Sequence, residues 1–187
     1  MRVYVVRHGE SETNRSRVWT GWTDAVLTDK GKDDAKRVGE FLKQISFEKI
    51  FTSDLSRAIE TAKVAIPGCQ YESSALLREI NVGTLANKPL SILTDEQRAN
   101  IAQNGYVEFD GETKKELQDR ISLFIKKLEL LDCQNVAVFT HNGWMRSVLD
   151  LLIGTTLPRK NICCNNCAVA IFEYTTTWKL HSWMNLL

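Results

Sequence analysis

Residues 4–14 read "YVVRHGESETN". Val3, Tyr4, Val5 and Val6 are apolar and β-favouring, and the run stops abruptly at Arg7, His8, Gly9 and Glu10. A strand therefore ends by setting down a cation, an imidazole and a carboxylate around a glycine. A second stretch has the same form. "NVAVFTH", residues 135–141, is a near-continuous apolar run suited to a strand covered on both faces, and it leads into His141-Asn142-Gly143. A third strand, "KIFTS" at 49–53, runs into "SDLSRAIET", with Arg57 about one turn into a helix. In open α/β sheets ligands bind outside the carboxyl ends of the strands, so all three segments can converge on one sheet edge.

Strand-like and helix-like stretches alternate along the rest of the chain, which predicts an α/β layered domain over 1–187. A helix is expected over 29–45, capped by Thr28, with Ala35, Val38, Phe41, Leu42 and Ile45 on one face. Ser53 or Asp54 is expected to cap a helix carrying Ala58, Ala62 and Ala65 that ends at Pro67-Gly68. Thr113 and Glu116 fit a capping box for a helix over 113–131, whose apolar face is Leu117, Ile121, Phe124, Ile125 and Leu128. A helix through "WMRSVLDLLI" stops at Gly154, and 167–174 with 177–183 read as a terminal hairpin. Residues 80–112 are the least regular. They hold a short helix near 95–103 and read as a lid insertion over the sheet edge.

Composition narrows the function. The 187 residues are 43% hydrophobic and 25% charged, an ordinary globular balance, and the formal net charge is +1. That balance speaks against a nucleic-acid footprint or a polybasic membrane patch, but not against a small cationic pocket. The first apolar run is too short for a signal or spanning segment, so a cytoplasmic protein is expected, as monomer or homodimer. Five cysteines, at 69, 133, 163, 164 and 167, make an odd count without an export signal, which does not suggest a disulfide framework. "CCNNC" at 163–167 reads as small, semi-buried residues near a strand start rather than a zinc site, because only His181 is left over as a ligand. Neither a metal nor a cofactor is expected.

Arg7 and Arg57 offer planar guanidinium forks that match a phosphate, helix N-termini after 53 and 142 add N–H donors, and Gly9 and Gly143 permit close backbone approach. The cluster reads as an anion pocket. Two histidines beside a phosphate suggest turnover: an imidazole attacks phosphorus, the arginines and the second histidine stabilise the phosphoryl charge, and a carboxylic acid protonates the leaving alcohol. Each residue also has a plainer reading. Arg7-His8 could be a solvated loop, His141 a satisfied core histidine and Arg57 a surface ion-pair partner. Glu79 could pair with Arg78, and Glu72 is an alternative acid.

"VVRHGESETN", "TGWTDAVLTDKG", "TSDLSRAIETA", "LLREINVG" and "VFTHNGWMRSV", in that order, resemble the histidine phosphatase superfamily of phosphoglycerate-mutase-like proteins. The resemblance implies a three-layer αβα sandwich around a mostly parallel sheet. It implies His8 as the phosphorylated nucleophile, with Arg7, Arg57 and His141 around the phosphoryl group and Glu79 as proton donor and later base. Asn14 and the backbone of Asn142-Gly143 would contact phosphate, and Thr20-Gly21 would lie near the entrance, flanked by Trp19 and Trp22. The chain departs from the pattern at Thr84-Leu85-Ala86-Asn87, where many members carry Trp-Glu-Gly, and at Asn142, where many carry glycine. The interval from Glu79 to His141 is short and lacks the adjacent arginine pair with which the family's mutases grip a sugar-acid phosphate. The expectation is hydrolysis of a small phosphorylated metabolite. Mutase-type transfer, a silent phosphate-binding module and a phosphoprotein phosphatase are the alternatives.

Overall fold

The computed structural model describes residues 1–155 and 161–186. A six-stranded sheet has the order β3-β2-β4-β1-β5-β6. Its strands are β1 (Arg2–Arg7), β2 (Lys49–Ser53), β3 (Glu72–Ser74), β4 (Asn135–Thr140), β5 (Val169–Tyr174) and β6 (Trp178–Met184). β1, β4, β2 and β3 pair in parallel, and β5 and β6 add antiparallel pairings at one side.

Strand alternation sorts the core into two layers. Val3, Val5, Val136, Val138, Ala170 and Phe172 face one cluster, while Tyr4, Val6, Ala137, Phe139, Val169 and Ile171 face the other. Helices α5 (Lys114–Glu129) and α6 (Asn142–Ile153) cover the first face with Ile121, Phe124, Trp144 and Met145. Helices α2 (Asp29–Leu42) and α3 (Ser56–Ala65) cover the second with Ala35, Val38, Leu42 and Ala62. The α/β layering read from the alternation is present, in the three layers that the family resemblance implies. No helix of the described residues is long and apolar enough to cross a membrane.

Several boundaries differ from expectation, each for a local reason. α2 stops at Leu42, and Ile45 lies beyond it in a turn closed by its N–H on the Leu42 carbonyl. α3 begins at Ser56, so neither Ser53 nor Asp54 caps it. The cap comes from elsewhere in the chain: Asp24 Oδ1 accepts from Ser56 N at 2.9 Å and Ser56 Oγ at 2.7 Å. Asp54 is engaged by Arg78 instead. α5 keeps the Thr113–Glu116 capping box, and Gly154 ends α6 in the left-handed region with φ 65°. The hairpin starts at Val169 rather than 167, because Cys167 adopts φ 60° in the preceding turn. Two short elements had no clear signal: α1 (Glu12–Arg15), closed by a Ser11–Asn14 capping box, and the three-residue β3.

Segment 80–112 carries three single 3₁₀ turns and α4 (Asp95–Asn104). It is stitched to the loop after α1 by Trp19 N to Lys88 O (2.9 Å), Asn87 N to Trp19 O (2.7 Å) and Leu90 N to Arg17 O (3.0 Å).

Candidate active site

β1 and β4 are paired with Arg7 opposite Thr140, so the next residue of each chain segment is a histidine. His8 N donates to Thr140 O at 2.9 Å, continuing the ladder past the strand end, and the two imidazoles lie 5.0 Å apart between centroids. His8 is 3% exposed and His141 is fully buried. His8 Nδ1 lies 2.7 Å from the Gly9 carbonyl. A carbonyl only accepts, so Nδ1 carries the proton and Nε2 carries the lone pair. Burial, then the nearby Arg57 and Arg7, hold the His8 imidazolium well below the usual range. The His8 imidazole is thus neutral at pH 7. Burial, Arg57 and His8 hold His141 in the same direction, and neither of its ring nitrogens has a hydrogen-bond partner.

The arginines arrive from β1 and α3. Arg57 is 1% exposed and donates to the carbonyls of Thr23 (2.9 Å) and Gly21 (2.8 Å), while its Nε has no partner. Arg7 donates from Nη1 to the Cys164 carbonyl at 2.5 Å, and its Nε is likewise unpartnered. Neither forms an ion pair among the described residues, so the charge of both is available to a ligand. Burial lowers Arg57 to about 10 despite the nearby Glu79 and Asp24, which leaves it cationic at neutral pH. Thr61 ties α3 to the turn after His8: its Oγ1 accepts from Gly9 N (2.9 Å) and donates to Arg57 O (2.6 Å). The close approach that Gly9 permits is to the backbone of Gly31, where a Cβ would meet Gly31 Cα at 3.2 Å.

Glu79 comes from the loop before segment 80–112 and lines the same cavity as His8. Its Oε1 accepts from Ile80 N and from Gly143 N, both at 2.9 Å, with Oε2 3.2 Å from Gly143 N. Only glycine allows this approach, since a Cβ on Gly143 would overlap Oε1 and meet Ile80 Cγ1 at 2.7 Å. The Gly143 N–H is therefore turned to the carboxylate. The Glu79 carbonyl accepts from Trp22 Nε1 (2.7 Å) and Arg120 Nη2 (3.0 Å). Arg120 also donates to the carbonyls of Leu76 (3.0 Å) and Arg78 (2.7 Å) and forms a two-pronged ion pair with Glu112 (2.6 and 2.9 Å). The plainer partners are occupied elsewhere: Arg78 pairs with Asp54, and Glu72, exposed on β3, pairs with Lys127.

These groups line one cavity of about 620 Å³. Arg7, His8, Asn14, Thr20, Gly21, Arg57, Glu79, Asn142 and Gly143 are all in its wall; His141 is not, being fully buried with its ring tilted 58° to that of His8. Asn14 Oδ1 accepts from Ser11 N (3.2 Å) and Asn166 Nδ2 (3.1 Å), which leaves its amide N–H groups for a ligand. Thr20 Oγ1 donates to Thr13 Oγ1 at 2.8 Å. Sequence reasoning missed Arg17, Arg146 and Asn166. Arg146 carried a usable signal, four residues after Asn142 on the first turns of α6, where its Nε donates to Asn142 Oδ1 at 2.7 Å. Arg17 sits in a left-handed bend with φ 56°, which no residue pattern announced.

Of the cysteines of "CCNNC", Cys164 adjoins this wall through its carbonyl, which accepts from Arg7 Nη1, and Cys163 is exposed. Cys164 and Cys167 are buried, and burial pushes their thiols up to about 11 and about 12, so both are protonated at neutral pH. Trp178 and Trp183 donate to Glu129 and to the Cys163 carbonyl and pack beside the first core cluster.

The family model of the histidine phosphatase superfamily (branch 1) matches residues 3–186. The chain belongs to that superfamily. The "Probable phosphoglycerate mutase GpmB" of Salmonella choleraesuis is 30% identical over 98% of this chain and 90% of its own. Among solved structures, a phosphoglycerate mutase from Bacillus anthracis superposes with TM-score 0.85 at 23% identity, covering 97% of this chain and 92% of its own. A proposed alpha-ribazole-5'-P phosphatase from Escherichia coli superposes with TM-score 0.81 at 22% identity, covering 100% and 97%. Those two likenesses establish the fold. The superfamily carries phosphatase- and mutase-type chemistry.

Proposed function

We propose that this protein is a phosphomonoesterase that hydrolyses a small phosphorylated metabolite through a phosphohistidine on His8. One observation carries the reading. A neutral His8, with Nε2 free of its proton, stands beside the buried guanidinium of Arg57 and the half-buried one of Arg7, neither of which has a carboxylate partner among the described residues. Such a site attracts a phosphate dianion and leaves the attacking lone pair intact.

Nε2 attacks phosphorus, and the P–O bond to the alcohol breaks. Arg7, Arg57 and an N–H of neutral His141 share the charge of the transferring phosphoryl group. Glu79 gives its proton to the departing alkoxide. It then takes one from water, whose oxygen attacks phosphorus and breaks the P–N bond, releasing inorganic phosphate and restoring His8. The side chains of this cavity supply the charge stabilisation themselves, so the reaction as written uses no metal.

Hydrolysis is favoured over transfer by the side chains that segment 80–112 turns toward the cavity. They are Ile80, Val82, Leu90 and Tyr106, without a cation. Arg98 donates to the Leu90 carbonyl (2.7 Å) and Arg120 serves Glu112 and the Glu79 loop. A mutase must hold its phosphorylated intermediate and exclude water, which a cation-poor lid does badly. Arg17 and Arg146 reach the cavity from outside that segment, and they are what favours a mutase as the second reading.

The experiment is release of inorganic phosphate from p-nitrophenyl phosphate in excess EDTA, by wild type and His8→Ala, beside conversion of 3-phosphoglycerate. Release that vanishes with His8 and no isomerisation is expected. Isomerisation without net release would establish the mutase, and release that persists in His8→Ala would overturn the mechanism.

A further inference from the structure

A second cavity, of about 590 Å³, lies against the catalytic one, and Trp19, Ile80 and Tyr106 line both. It opens between α4 and the start of α5. Leu93, Ile101, Ala102 and Leu117 give it an apolar wall with mainly apolar surface, whereas Arg7, His8, Arg57 and Glu79 are in the lining of the catalytic cavity. Trp19 and Tyr106 meet edge to face at the boundary, 5.8 Å between centroids and 73° between planes. The indole Nε1 of Trp19 is buried there without a hydrogen-bond partner. Buried N–H groups are ordinarily paired, so this donor points to an acceptor supplied by something that enters.

Resting on the phosphomonoesterase reading, we propose that this annex takes the alcohol part of the substrate. The substrate class is a phosphate monoester whose leaving group is bulky, uncharged and largely apolar or aromatic, with an acceptor near its phosphate end for Trp19 Nε1. The phosphate is fixed at His8 by Arg7 and Arg57. The group attached to it passes Ile80 and the Trp19–Tyr106 pair and is covered by α4. Small, doubly charged acids fit poorly. The annex offers them Leu93, Ile101 and Leu117, and its Arg98 is turned to the Leu90 carbonyl. Lys114 and Glu112 lie at the α5 end, where Glu112 is already held by Arg120. Segment 80–112 supplies much of this lining and carries the departure from the family pattern at Thr84-Leu85-Ala86-Asn87. It would thus set specificity by apolar fit rather than by charge.

The test uses two chain-length series on the full protein: hydrolysis of n-alkyl phosphates from propyl to octyl, and calorimetric binding of the matching n-alkylphosphonates, which cannot be hydrolysed. Each methylene that reaches the annex should raise kcat/KM for the ester and the affinity for the phosphonate about fourfold, until the cavity is full. Ala102→Trp, which fills the annex from α4, should flatten both series. Phosphonate affinity that is independent of chain length, or lengthening that still helps Ala102→Trp as much as wild type, would overturn the inference. Chain-length-dependent binding with no hydrolysis of any ester would uphold the annex and refute the phosphomonoesterase reading. Flat phosphonate binding alongside hydrolysis of all esters would do the reverse. Should Ala102→Trp fail to fold, the wild-type phosphonate series decides alone.

Discussion

Arg120→Met should separate positioning of the acid from the rest of the machinery. Arg120 is outside the lining of the catalytic cavity, yet it donates to three carbonyls of the segment that presents Glu79, those of Leu76, Arg78 and Glu79. Its ion pair with Glu112 is largely buried, the side chains being 12% and 7% exposed. Removing one partner leaves Glu112 uncompensated and the carbonyls short of donors, a change that costs about 3 kcal/mol of stability. Glu112 also accepts from Asn81 N at 3.2 Å, so the loop loosens on both sides of Glu79. A carboxyl displaced by about 1 Å loses on the order of 10²-fold in proton transfer. The loss should depend on the leaving group. An alkoxide needs the proton, so kcat/KM for an alkyl phosphate should fall about 10²-fold, whereas p-nitrophenolate leaves without help and its ester should lose less than about tenfold. The assay compares the two esters at a temperature where denaturation curves show the variant folded. Equal losses on both esters would refute the positioning role, because a general structural defect cannot tell leaving groups apart.

The remaining predictions concern stability and geometry. His8 and His141 are held neutral in the fold with pKa values below their unfolded value, so the unfolded chain binds more protons as pH falls below about 6.5, and stability must fall with it. Between pH 7.0 and 5.5 each should cost about 1.3 kcal/mol, read from urea midpoints, and a pH-independent midpoint would contradict their burial as neutral groups. Gly143→Ala should push Glu79 out of its place on α6 and lower kcat for alkyl phosphates about 10²-fold while phosphate binding, measured by calorimetry, changes little. Asp24→Ala should cost about 1 kcal/mol by uncapping α3, and Asp24→Asn should keep most of it; equal costs would refute a cap role.

The strand ends were the most legible part of the chain. A strand that must be buried on both faces reads as an unbroken apolar run, and the polar residues that follow it stand out, which is why Arg7-His8 and His141 could be placed on one edge from pattern alone. The capping box at Thr113 was equally plain because its partners are three residues apart. What escaped is non-local. Asp24 caps a helix that starts far along the chain, Arg120 holds a loop from another helix, and Arg17 and Arg146 reach the cavity through a backbone bend and a helix face. None of these depends on a spacing within one window. Glu79 was legible only through family resemblance; its local sequence offers Arg78 as an equally plausible partner, and the fold resolves the choice by giving Arg78 to Asp54.

The central claim is that His8 Nε2 forms a bond to phosphorus. The most direct measurement is mass spectrometry of the protein quenched under alkaline denaturing conditions during turnover of p-nitrophenyl phosphate, whose leaving group departs without the acid, with Glu79→Gln used to slow the hydrolysis of the intermediate. The account predicts one added phosphoryl group, mapped to His8 and absent from His8→Ala. Turnover with no phosphorylated protein at any quench time, or a phosphoryl group on another residue, would contradict it.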